Sequence, residues 1–175
     1  MSTPEAPPEP KRNTWIIPLV VGGVSILAVL LVYGALAQRT PLDFVPPDPE
    51  GPIDAAALYQ RQCAACHGAE GQGVPGRYPP LVQTAWVVAD KDVPIRVVLH
   101  GLSGRIEVRG QPYGAMMPAF GHQLSNAEIA ALLSHIRASW GNEAEAISTE
   151  EVAMVRESTD ALRGPWTPEE IKVTD

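Results

Sequence analysis

Apolar residues crowd first into one unbroken block, Trp15 to Ala37, whose sequence WIIPLVVGGVSILAVLLVYGALA holds 23 positions without a charge. A helix crossing hydrocarbon needs about 20 such residues, so the block predicts a single transmembrane helix. Trp15 and Tyr33 lie near its ends, where aromatic rings suit the membrane interface, and Lys11 and Arg12 precede it. That placement puts residues 1–14 in the cytoplasm and the rest of the chain across the membrane. Ala35-Leu36-Ala37 would also suit cleavage of a signal peptide before Gln38. The apolar core of such a signal runs to only about 7–15 residues, which favours a retained anchor.

The pattern then changes character. Residues 38–52 carry Pro41, Pro46, Pro47, Pro49 and Pro52, which interrupt helix and sheet and predict an extended tether; packing of this segment along the following domain is the alternative. From Asp54, a helix-capping residue, Ala55, Leu58, Tyr59, Cys63 and Cys66 recur at three- and four-residue steps and predict a helix with one apolar face. GAEGQGVPGRYPPL breaks the periodicity with glycines and prolines. Asp92 is placed to cap a short helix, VPIRVVLH, that Gly101 stops. A further loop carries Tyr113, Met116 and Met117 before Pro118. Ser125 and Glu128 form a capping box opening a helix with Ile129, Leu132, Leu133, Ile136 and Trp140 on one face. Helices and loops account for nearly all of residues 53–142, with little room for a sheet: an all-α domain.

Charge divides the chain further. The whole carries 20 acidic and 13 basic side chains, for a net charge of −7, and no basic stripe that could replace phosphate counterions, which excludes nucleic acid as a partner. Residues 51–142 are near neutral, with six acids and seven bases, whereas residues 143–175 hold nine acids and three bases. That acidic extension repeats the capping pattern at Ser148 with Glu151 and at Thr167-Pro168 with Glu170. Val152, Val155 and Leu162 make a modest apolar stripe and Trp166 a large anchor, so the extension is expected to dock onto the preceding domain or a partner rather than stay solvated.

The chemistry concentrates at Cys63-Ala64-Ala65-Cys66-His67. At a helix end these three side chains project to one side, so two thiols can add to the vinyl groups of one haem while the imidazole reaches its iron. A thioredoxin-like pair would need a preceding strand and a sheet. A zinc site would need two more ligands that His100, His122 and His135 do not supply at suitable spacing, and a simple disulfide leaves His67 unexplained. For the second iron face Met117 is the leading candidate, in a loop bounded by Gly114 and Gly121 with Pro118 fixing the backbone beside it. Met116 reads as the methionine facing away. His100 and His122 are the histidine alternatives, His100 reading better as a hydrogen-bonded structural residue and His135 as lying on the polar side of its helix.

Leu58-Tyr59 before CAACH, then GVPGRYPPL, VVLHGLSGRIEVRGQPYGAMMPAFG and LSNAEIAALLSHIRASW follow in an order that resembles the class I monohaem c-type cytochromes. The resemblance covers residues 53–142, and NEAEAISTEEVAMVR resembles the short extra helix of bacterial members associated with dehydrogenases and oxidases. It implies a cytochrome c fold in which the helices bearing Tyr59 and Trp140 cross beside one covalent haem c. It further implies Cys63 and Cys66 as attachment points, His67 and Met117 as axial ligands, and a carbonyl near Pro79 or Pro80 orienting the histidine. The implied function is one-electron transfer rather than enzymology, between redox protein partners in the periplasm or at the membrane. The haem domain would stand on the outer face of a bacterial inner membrane. The alternatives are a haem-bearing relay subunit of a larger respiratory or dehydrogenase complex, and an enzyme with an open sixth iron position.

Overall fold

The computed structural model describes residues 29–31, 45–162, 164–171 and 173. The expected membrane span lies outside the described residues apart from the exposed helical positions Val29, Leu30 and Leu31. Among the described residues no helix is long and apolar enough to cross a membrane. The chain divides into two compact units, Met1–Thr40 and Pro41–Asp175, and the second holds everything that follows.

Helix α1 (Ala55–Gln62) begins where the Asp54 carboxylate accepts the Ala57 N–H at 2.9 Å. It stops at Cys63, whose φ of −120° leaves the helical range, and resumes as the single turn α2 (Ala64–His67), closed by Gly68. After the glycine-rich stretch come α3 (Ala85–Val88) and α4 (Asp92–His100). Here the expected cap shifts. Lys91 occupies the cap position, the Asp90 side chain accepts the Asp92 N–H at 3.0 Å, and Asp92 sits inside the helix, paired with Arg96 one turn on. Helix α5 (Asn126–Arg137) carries the predicted capping box at Ser125 and Glu128, both reciprocal bonds made. Helices α6 (Thr149–Ser158), with its own box at Ser148 and Glu151, and α7 (Pro168–Ile171) follow.

The fold is mostly helical, and it also contains an element the periodicity did not announce. Strands β1 (Ile106–Val108) and β2 (Gln111–Tyr113) pair antiparallel, with Ile106 opposite Tyr113 and Val108 opposite Gln111. The intervening Arg109 and Gly110 have φ values of 54° and 73°, the left-handed pair that a two-residue hairpin turn requires. Three-residue strands offer too few alternations to be recognised from pattern alone.

Two apolar clusters organise the packing. The larger joins Leu58 and Tyr59 of α1, Ile95, Val98 and Leu99 of α4, Ile129, Leu132, Leu133 and Ile136 of α5, and Val152 and Val155 of α6. Each such side chain contributes roughly 1.5–3 kcal/mol by leaving water. The acidic extension therefore supplies part of the core, Val152 being fully buried. Its basic side chain Arg156 is half-buried, its guanidinium donating to Asn126 Oδ1 at 2.8 Å and to the carbonyls of Gly121 and Leu124. The smaller cluster gathers Leu102, Ile106, Val108 and Tyr113, with Met117 and Trp166 packed against it.

Trp140 stands beyond the end of α5 in a left-handed conformation, φ 54°, and not on the helix face where periodicity placed it. Its indole lies 4.8 Å from the Tyr59 ring, centroid to centroid. His135 is half-buried beside both rings, 6.1 Å from Trp140 and 6.2 Å from Tyr59, so its expected polar exposure is replaced by aromatic packing. At the start of the domain Asp48 Oδ1 accepts the Ala127 N–H at 3.1 Å, so the proline-rich segment is held against the first turn of α5 from that residue onward.

His100 takes the structural part expected of it: Nε2 lies 2.7 Å from the Thr159 hydroxyl, which itself donates to the Val155 carbonyl, so the imidazole N–H is the donor in the first bond. Burial, aided by Arg156 and Arg96 and opposed by Asp160, holds this imidazole below its ordinary value of 6.5. The unfolded chain takes up the proton near pH 6.5 while the folded chain resists it. Stability should therefore fall as pH drops below about 6.5 and level off once the folded-state value is passed. His100→Gln, which retains an N–H for Thr159, should flatten that limb in urea unfolding measured across pH. A slope like that of the wild type would exclude His100 as its source.

Candidate functional site

The site is a cavity between the two clusters, lined almost wholly by apolar side chains, among them Trp86, Val98, Leu102, Phe120 and Leu132. Cys63, Cys66 and His67 enter it from the α1–α2 junction, and Met117 from the segment that follows the hairpin. The interruption of the helix at Cys63 matters here, because the Cys63 carbonyl still accepts the N–H groups of Cys66 and His67 at 3.1 and 2.9 Å. One tight turn thus delivers all three side chains to the same rim. Both cysteines are free thiols and half-buried, and burial together with the neighbouring Cys66 pushes the Cys63 thiol up to about 11.

The imidazole is held by its back nitrogen. His67 Nδ1 lies 2.9 Å from the Pro79 carbonyl, and a carbonyl can only accept, so Nδ1 carries the hydrogen and Nε2 keeps its lone pair. Burial lowers the His67 proton affinity against the opposing pull of that carbonyl, which favours a neutral ring suited to metal binding. Gly73 makes the arrangement possible. At φ 68° a Cβ there would lie 2.5 Å from the Tyr78 carbonyl oxygen and 2.7 Å from that of Pro79.

The loop bearing Pro79 is fastened at its far side by a residue whose part sequence reasoning missed. Buried Asn142 donates to the carbonyls of Leu81 and Ile136 at 3.1 and 2.8 Å and accepts the Gln83 N–H at 2.6 Å. An asparagine following Trp140-Gly141 carries only a turn signal in sequence. Tyr59 is likewise more than a core residue: its hydroxyl donates to the Gly68 carbonyl at 2.5 Å, just past the CAACH turn, and burial pushes its proton affinity up to about 12.

Both methionines line the cavity, and they differ in burial. Met116 is 66% exposed, whereas Met117 is partly buried and packs against both apolar clusters. Met117 is also fixed by its backbone, donating to the Leu102 carbonyl at 2.8 Å and accepting from the Leu102 N–H at 3.1 Å. His122 is exposed on the surface, and neither it nor His100 lines the cavity. Among the described residues no group of three or more His, Cys, Asp and Glu side chains could hold a metal ion. Two thiols at one rim, a neutral imidazole with a free nitrogen and a thioether on a separate wall of an apolar cavity fit haem.

The Cytochrome c family profile matches residues 53–140. The chain belongs to the cytochrome c family. A cytochrome c-552 of Thermus thermophilus is 41% identical over 123 residues, 67% of this chain and 72% of that protein, and a second from the same species is 45% identical over 93 residues, 51% and 70%. The gluconate 2-dehydrogenase cytochrome c subunit of Pantoea cypripedii is 36% identical over 119 residues, which cover 62% of this chain and 26% of that subunit. This cytochrome binds haem c covalently and serves as an electron carrier.

Covalent attachment gives a direct check on the two thiols. Acid–acetone extraction of the wild type should leave all haem on the polypeptide. Replacing Cys63 and Cys66 together by alanine should abolish attachment, and either single replacement should leave one thioether, visible as a shifted pyridine haemochrome band.

Proposed function

We propose that this cytochrome carries one electron on a haem held by Cys63, Cys66, His67 and Met117, in a domain tethered by residues 38–52 to the outer face of a bacterial inner membrane through a helix at residues 15–37. The observation that carries the ligand set is the paired fixation of His67 on the Pro79 carbonyl and of Met117 on Leu102 around one apolar cavity. Haem c, when bound, supplies reversible one-electron iron chemistry. The protein's part is positioning. The Pro79 carbonyl turns the imidazole toward the cavity and raises its basicity, the cysteines fix the macrocycle, and the Met117 thioether favours the reduced iron and so raises the potential. Phe120, Val98 and Leu132 line the cavity with apolar surface and would keep water from a bound haem.

Met117→Ala should lose the ferric sulfur-to-iron absorption band, lower the potential and admit carbon monoxide to the reduced iron, while Met116→Ala keeps all three properties of the wild type. The reverse pattern would move the ligand to Met116, and absence of the band from the wild type would favour histidine or an open site.

For the anchor, the support is the uncharged run of residues 15–37 behind Lys11 and Arg12. With Asp48 bonded to α5, the ten residues between Ala37 and Asp48 would reach up to roughly 30 Å if extended at about 3.1 Å each, enough for the haem edge to meet partners without release. Similarity to the cytochrome c subunits of gluconate 2-dehydrogenase and of alcohol dehydrogenase (quinone) from Gluconacetobacter polyoxogenes supports a relay role in a dehydrogenase or respiratory complex as the second reading. Fractionation of expressing cells with intact mass tests the anchor. A soluble product beginning at Gln38 would make this a free carrier, and co-purification with a dehydrogenase or oxidase would select the relay.

A further inference from the structure

We infer that the C-terminal segment around Trp166 positions Met117, so that Trp166, which lies outside the haem cavity, governs how readily the thioether leaves the iron. This rests on Met117 as the sulfur ligand.

The route runs through three backbone residues. Leu102 exchanges both of its backbone hydrogen bonds with Met117 on one side. On the other side the Trp166 N–H donates to the Gly101 carbonyl at 3.1 Å, and the Ser103 N–H donates to the Trp166 carbonyl at 2.8 Å. Leu102 therefore runs antiparallel to Met117 and parallel to Trp166, as the middle of a three-stranded strip. Gly101 lets the strip close: at φ 81°, a Cβ there would stand 2.5 Å from the Met117 carbonyl oxygen. Pro118 has no N–H to offer the next position, so the Leu102 bonds are what hold the methionine's backbone in register. Strip residues 101–103 follow the end of α4 and precede the hairpin, and without Trp166 they would keep only the two Leu102–Met117 bonds and the Gly101 N–H to the Val97 carbonyl.

Trp166 itself is seated by packing. Its ring meets His100 edge-on at 6.2 Å and lies 5.2 Å beneath the Arg96 guanidinium, and it joins the same apolar cluster as Met117. Its indole N–H is buried with no hydrogen-bond partner among the described residues, so the ring acts through shape and a phenylalanine should serve. The following turn is closed by the Thr167 N–H and hydroxyl donating to Glu170 at 2.8 and 2.9 Å. A single well-packed aromatic anchors the outer strand, and the strip transmits that anchoring to the methionine.

The test uses the ferric holoprotein with imidazole as competing ligand, following loss of the sulfur-to-iron band by stopped flow at saturating imidazole, where the rate reports opening of the Met117 segment. Trp166→Ala should raise that rate roughly tenfold, the equivalent of losing about 1.4 kcal/mol of aromatic packing, and Trp166→Phe should stay near the wild type. Deletion of residues 164–175, which leaves Val152 and Val155 in the core, should act like Trp166→Ala. Amide hydrogen exchange gives a readout independent of iron: Leu102, Ser103 and Met117 should lose protection in both variants while the α5 amides keep theirs. Wild-type imidazole rates and protected strip amides in Trp166→Ala and in the deletion would overturn the proposal, as would equal loss of protection in α5, which would make the segment a general brace. A wild type without the band, or a Met117→Ala variant that keeps it, would refute the ligand assignment instead, and those two proteins report on it alone.

Discussion

The hydrogen bond from His67 Nδ1 to the Pro79 carbonyl is the constraint around which the site is arranged. An imidazole buried in an apolar wall leaves a donor that costs about 1–3 kcal/mol if unmet, and the partner must lie in the ring plane on the side away from the cavity. A proline-rich loop supplies a carbonyl there with a stiff backbone. That loop is tied in turn by Asn142 to the end of α5, by the Leu81 N–H to Gly71, and by Gly73 passing beneath it. Trp140 closes over Gly71 and Tyr59, so the crossing of α1 and α5 and the orientation of one ring belong to a single connected set of contacts.

What was legible in the sequence was what depends on neighbours in the chain. Asp54 at the start of α1 and the boxes at Ser125 and Ser148 are satisfied within three residues, and all are made as read. The CAACH spacing, local to one helical turn, similarly announced haem, and the two thiols and the imidazole do share one rim. The misreadings lie where tertiary structure decides. Asp92 reads as the cap on paper, but the trajectory into α4 puts Lys91 at that position and turns the Asp90 carboxylate onto the Asp92 N–H. Trp140 continues the apolar period of α5 on paper, but Tyr59 holds its ring beyond the helix end. The hairpin depends on Arg109 accepting a left-handed conformation, which no propensity signals for arginine. The backbone pairing of Met117 with Leu102 was likewise invisible, because Leu102 is an isolated apolar residue after Gly101 with nothing in its own neighbourhood to mark it.

Averaged charge was a poor guide to the extension. Nine acids in residues 143–175 suggest a solvated appendage, yet its contribution to the fold comes from a few other side chains. Val152 and Val155 complete the core, and Arg156 satisfies carbonyls at the turn before α5. Of the acids, Glu151 and Glu170 close the first turns of their helices, and Glu145 and Glu151 meet Lys91 at the surface, where Glu151 approaches to 2.9 Å; such pairs contribute little. An acidic net composition is thus compatible with an interior part, provided that the apolar and basic positions fall on the inner face.

The placement of α6 has a consequence for the order in which the chain can become a protein. Its valines seal an apolar surface built from α1, α4 and α5, and buried or half-buried bonds that close the fold join residues far apart: Gln83 to Asn142, His100 to Thr159. A nascent chain emerging N-terminus first would present Cys63, Cys66 and His67 long before residues 149–158 exist to shut the core behind them. Non-local closure of this kind is slow relative to helix formation. It leaves an interval in which the haem-binding turn is chemically complete while the wall behind it is still open to solvent.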